Sequence, residues 1–146
     1  MIPIISQIIL KKLPDWNTRV FVLEDFYKIC EKDGVVVLEQ DIRSRGEYSV
    51  VDKRPIIVLR AGLNEQLKAW IAFHELGHHY LHYPAPHRFS RGTYRKMDRE
   101  ANFFASVALI PTSQLERLAW GEAEPEASGP EGLMRIRLAV YRHFGI

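Results

Sequence analysis

His74-Glu75-Leu76-Gly77-His78 sets two imidazoles four residues apart with a carboxylate directly after the first. On an α-helix a four-residue step turns about 400° and climbs about 6 Å, so both rings point to one side and one divalent ion can bridge them. Glu75 lies about 100° further round, beside that ion, where a carboxylate can take a proton from water. The chemistry implied is metal-assisted hydrolysis. The surroundings agree: Leu67, Ile71 and Leu81 form an apolar row through the two histidines, and Trp70, Phe73, Leu76 and Tyr80 make much of the remaining surface apolar. The spacing therefore predicts a central helix from Leu63 to about Tyr83, whose buried imidazoles need partners. Gly77 costs about 1 kcal/mol relative to Ala inside a helix, and close approach of a strand or of substrate would explain it.

A catalytic zinc usually takes three protein ligands and leaves one position for water. A histidine six residues after His78 would serve, but Pro84 stands there. His79 is rotated about 100° from His78, and His82, one turn further along, would stretch the site. The expected third ligand is Glu100, which heads a row with Phe103, Phe104 and Val107 and so turns a carboxylate towards the core. Ala101, Ala105 and Ala108 form a small-residue strip that lets this helix approach the His74 helix closely.

HELGHHYLH, followed 22 residues after His78 by the glutamate of EANFFASVALIP, resembles the ImmA/IrrE metallopeptidases, whose members carry HELGHxxLH and a downstream FA…L-P segment. The resemblance covers about Ile56 to Pro111. It implies that His74, His78 and Glu100 bind zinc and that Glu75 is the catalytic base. It also implies site-specific cleavage of helix-turn-helix repressor proteins, which switches on mobile-element or DNA-damage stress genes. Val107 to Pro111 reads VALIP where members often come closer to LLMP, a conservative departure. Some relatives carry an added DNA-binding or sensor domain, for which 146 residues leave no room.

Composition fits a small enzyme. A chain of 146 residues with 47% hydrophobic content is long enough for one domain with a core and short for two. The single cysteine, Cys30, excludes an internal disulfide and suits a reducing compartment, with a buried packing role expected for it. Ile2 to Leu10 is apolar but brief, contains Pro3 and lacks a basic lead-in, so it does not read as a secretory signal. No run approaches the ~20 residues that span a bilayer. A cytoplasmic protein with no membrane partner is expected.

The fold expected is α+β, a small three-stranded sheet packed on the central HExxH helix within a mostly helical, zincin-like domain. A helical pattern from Trp16 to Lys32 stops at Asp33-Gly34. Val35 to Leu38, Tyr48 to Val51 and Ile56 to Leu59 read as strands, separated by turns at Asp41 to Gly46 and Asp52 to Arg54. A loop from His87 to Lys96 precedes the Glu100 helix, which stops near Pro111, and a short helix follows to Trp120. Residues 1–120 thus form the metallopeptidase domain, 121–132 (GEAEPEASGPEG) a linker, and 133–146 a last amphipathic helix of the same domain.

Pro55 is compatible with an edge position for the Ile56 to Leu59 strand, where an extended substrate could add. Net charge is only +2, yet Arg88, Arg91, Arg95, Lys96 and Arg99 face Asp98 alone in the 88–99 segment. That segment suits an acidic substrate or weak nucleic-acid contact, a solvated surface being the plainer alternative. Tyr94 and His87 are candidates for stabilising an oxyanion, and Asp98, Asn102 and His82 for orienting the ligands. In the mechanism implied, Glu75 takes a proton from water and returns it to the leaving amine. Zinc suits this set, with manganese, iron or cobalt as other divalent occupants. Two other readings stand beside a peptidase. One is a non-catalytic module that binds a repressor or antitoxin; the other is a DNA-associated structural protein whose histidines only pack.

Overall fold

The computed structural model describes residues 4–84, 91–123, 130 and 132–146. Among these, the order is α1 (Ile4–Lys12), α2 (Leu23–Asp33), β1 (Val36–Gln40), β2 (Gly46–Val51), β3 (Arg54–Arg60), α3 (Glu65–His82), α4 (Arg91–Leu109), α5 (Thr112–Ala119) and α6 (Leu133–Phe144). The class is α+β, a three-stranded sheet among helices, as the residue patterns predict.

The first helical pattern is shorter than expected at its start. Residues 16–22 are not helical: Asn17 has φ 65°, and Asp25 Oδ2 accepts from the Val22 amide at 2.8 Å, fixing the start of α2 at Leu23. Trp16 is nevertheless buried, its indole donating to Phe104 O at 3.0 Å. The helix ends where Gly34 takes the left-handed conformation at φ 72°. An additional helix, α1, covers α3, with Lys12 Nζ donating to Tyr80 O at 3.2 Å.

The sheet has the order β1-β3-β2, with β1 and β3 parallel and β2 and β3 antiparallel. Asp52 and Lys53 both take positive φ, which gives the two-residue hairpin turn its match to strand twist. β3 is therefore central, contrary to the edge position expected from Pro55. Its run Ile56-Ile57-Val58-Leu59 explains this, since Ile57 and Leu59 are fully buried, and Pro55 sits at the strand's beginning. The outer strands are β1 and β2.

α3 runs through the middle of the molecule. Asn64 caps it, accepting from the Leu67 amide at 2.9 Å, and Ala72, Phe73 and Leu76 are wholly buried. α4 lies against it. At their crossing a Cβ on Gly77 would stand 3.0 Å from Ala101 Cα and 3.1 Å from Phe104 Cδ1, so the glycine admits a helix rather than the strand or substrate expected. The expected strip of Ala101, Ala105 and Ala108 is fully buried. α4 begins at Arg91, so residues 91–96, read as loop, are helical; His87 and Arg88 lie outside the described residues. So does most of the expected linker, residues 124–129 and 131. α6 packs back on α4 through Phe144 and Phe103, whose rings are 5.4 Å apart. Buried Arg137 donates to Ile110 O and Ile146 O. No helix among the described residues is long and apolar enough to cross a membrane.

Candidate metal centre

The four-residue spacing on α3 places His74 Nε2 3.2 Å from His78 Nε2. From α4, Asp98 Oδ1 lies 3.1 Å from His78 Nε2 and 3.4 Å from His74 Nε2. An ion bound tetrahedrally at about 2.0–2.1 Å separates its ligands by about 3.3–3.4 Å, so this triangle has the size of one face of such a site. Proton placement agrees. Asn102 Oδ1 lies 2.7 Å from His74 Nδ1 and accepts its proton, which leaves the neutral ring a lone pair on Nε2. Burial holds His74 below its ordinary pKa, favouring that neutral form. Burial first, then the charges of His74 and His82, pushes His78 down to about 4. Two imidazole lone pairs and a carboxylate oxygen thus converge on one point, an arrangement that a divalent cation satisfies. The residues fit a metal.

The structure brings Asp98, and not Glu100, to the two histidines. Among the described residues, the group with ligand atoms within 4.8 Å of one another is His74, His78 and Asp98. Glu100 stands two residues on, about 200° round α4, and its Oε1 lies 3.2 Å from His82 Nε2. The row that led to Glu100 weighed core facing alone. The signal for Asp98 was its four-residue step to Asn102, which puts both on the face of α4 that meets the histidines. Asn102 and His82 do contact the two imidazoles, as expected of orienting residues: His82 Nδ1 is 3.0 Å from His78 Nδ1. His79 turns away from the centre, with Nδ1 2.9 Å from the Tyr48 hydroxyl. Tyr94, one turn before Asp98, is half-exposed, and His87 is not among the described residues.

Glu75 flanks the triangle, its Oε2 4.0 Å from His74 Nε2. Burial, together with the neighbouring charges of Asp98 and Glu47, pushes its carboxyl up to about 8. Such basicity suits a group that holds a proton briefly. The first residue of β2 packs directly over it: a Cβ on Gly46 would be 2.5 Å from Ile71 Cγ2 and 3.2 Å from Glu75 Cγ. That contact gave no signal in the sequence beyond the glycine itself.

The family model of the Peptidase_M78 IrrE N-terminal-like domain matches residues 30–128. The chain belongs to that family. The match contains all three strands, α3, α4 and α5, and hence every residue of the centre. This membership supports a metallopeptidase-like domain and suggests a divalent metal, for which His74, His78 and Asp98 are a candidate donor set. Comparisons with curated proteins and with solved structures found no match. In this M78 domain Cys30 takes no part in the site; it is buried, and burial pushes its thiol up to about 12.

Proposed function

We propose that this chain is a zinc-dependent endopeptidase of the cytoplasm that cuts a helix-turn-helix transcriptional repressor or a similar regulatory protein. The observation that carries the reading is the triangle of His74, His78 and Asp98 donors, 3.1 to 3.4 Å on a side, with the Glu75 carboxyl alongside. His74, His78 and Asp98 would hold the ion, in place of the His74, His78 and Glu100 set expected from the resemblance. A zinc ion bound there supplies a Lewis acid that polarises the scissile carbonyl and acidifies water.

The chain's own residues do the rest. Glu75 takes the proton of the attacking water at Oε2 and delivers it to the nitrogen of the leaving amine. The raised basicity of a buried carboxyl supports both halves of that exchange. Asn102 keeps His74 in the tautomer that presents Nε2. β2 is an outer strand whose first residue touches Glu75, so an extended peptide pairing with its free edge would pass beside the acid–base group. The repressor as substrate rests on the resemblance of HELGHHYLH and EANFFASVALIP to the ImmA/IrrE metallopeptidases. Exposed Arg95, Lys96 and Arg99 next to Asp98 would meet an acidic segment of that protein or nearby nucleic acid.

Incubating the zinc-loaded protein with candidate helix-turn-helix repressors, and reading the products by mass spectrometry, tests this. One cut at a defined bond, absent with Glu75→Gln, is expected. An intact repressor together with metal-dependent binding would replace the peptidase with a binding module.

A further inference from the structure

We propose that Glu100 and His82 are positioning residues that act on the metal centre through His78. The inference rests on the reading that His74, His78 and Asp98 hold the ion. Along α3, His74, His78 and His82 follow one another at four-residue steps, and Glu100 closes the row from α4. His82 has a side chain only 9% exposed, with its Nε2 3.2 Å from Glu100 Oε1 and its Nδ1 3.0 Å from His78 Nδ1.

Counting protons along this row gives it a direction. A carboxylate oxygen only accepts, so His82 Nε2 carries the proton and donates it to Glu100. The neutral His82 ring then has its lone pair at Nδ1. That lone pair can be satisfied only if His78 Nδ1 is the protonated nitrogen of its own ring. His78 Nε2 is thereby left bare, and Nε2 is the atom 3.1 Å from Asp98 Oδ1 and 3.2 Å from His74 Nε2. Glu100 thus selects the metal-binding tautomer of His78 from two hydrogen bonds away, as Asn102 selects that of His74 from one. The two ligands are set by different carboxyl or amide groups on the same helix, α4.

Zinc affinity, measured by competition with a chromophoric chelator, separates the possibilities, with the absorption spectrum of the cobalt-substituted protein as a second readout. Glu100→Leu, which removes the acceptor, and His82→Phe should each weaken zinc by about 10–100-fold while keeping the tetrahedral cobalt spectrum. The double variant should be no weaker than His82→Phe alone, because Glu100 acts only through His82. His82→Gln should recover part of the loss, since its amide can accept from His78 and donate to Glu100. Should His82→Phe fail to fold, Glu100→Leu and His82→Gln still decide the matter.

Wild-type affinity in both Glu100→Leu and His82→Phe would overturn the proposal while leaving the metal reading intact. Loss of the cobalt spectrum in Glu100→Leu, with His82→Phe unaffected, would overturn it by making Glu100 a ligand. A wild-type protein that takes up no zinc would end the underlying reading as well.

Discussion

α3 and α4 meet at a single close crossing, yet they hold their polar residues under opposite conditions. On α3 the side chains of His74, Glu75 and His78 are 18%, 10% and 14% exposed, whereas on α4 the Asp98 side chain is 60% exposed. The imidazoles are fixed by the core around them, so their geometry exists before any ion arrives. The carboxylate is placed by the register of α4 on α3, and that register depends on backbone contact at Gly77 and Ala101. A preorganised pair of nitrogens and an adjustable oxygen is a division of labour that separates affinity from alignment.

The sharpest way to break this comparison is through Glu75, which is buried like a ligand but is assigned proton transfer. Glu75→Gln should lower cleavage by ~10²–10⁴-fold with zinc content unchanged, checked by single-turnover kinetics and elemental analysis. Chelation should abolish cleavage in the parent protein, and added zinc should restore it. Next in size is the crossing itself. Gly77→Ala puts a Cβ 3.0 Å from backbone, and the resulting shift of α4 should cost about 1–3 kcal/mol in denaturant unfolding.

A pH series on the metal-free protein sharpens the contrast further. Glu75, raised to about 8 in the fold, favours the folded state fully below its unfolded value near 4.5, and that contribution is lost as pH rises through 8. His78, lowered to about 4, acts oppositely: its contribution is present above about 6.5 and is lost as pH falls towards 4. Glu75→Gln should therefore stabilise the metal-free protein at pH 8 by up to about 4 kcal/mol and have little effect at pH 4.5. The smallest effect is expected at the strand. Gly46→Ala would put a Cβ 2.5 Å from Ile71 Cγ2, a methyl on a stiff β-branched side chain, so β2 must shift, and cleavage should fall several-fold through displacement of Glu75 without release of metal.

α3 was legible because two signals coincide in it: the His–Glu–His spacing and an apolar surface on nearly every side. The strands were placed within a few residues because Ile56 to Leu59 is a continuous apolar run between turn residues. Its central position was not legible, since strand order depends on tertiary pairing, and Pro55 pointed to an edge. Trp16 to Val22 carries helical periodicity, yet burial of Trp16 and the cap at Asp25 override it. That Asp98 rather than Glu100 would lie against the two histidines escaped for a related reason. A row of core-facing residues identifies the buried face of α4, whereas the metal is met by the face beside it. Gly77 was recognisable as a place of close approach, though the approaching element was not.

Zinc stoichiometry in the Asp98→Ala and Glu100→Ala proteins, purified with the parent and measured by elemental analysis, tests the central claim most directly. The parent should carry one zinc per chain, Asp98→Ala almost none, and Glu100→Ala a full complement at saturating zinc with weaker retention on dialysis. A full complement in Asp98→Ala beside an empty Glu100→Ala would contradict the account, as would a parent protein that binds no metal.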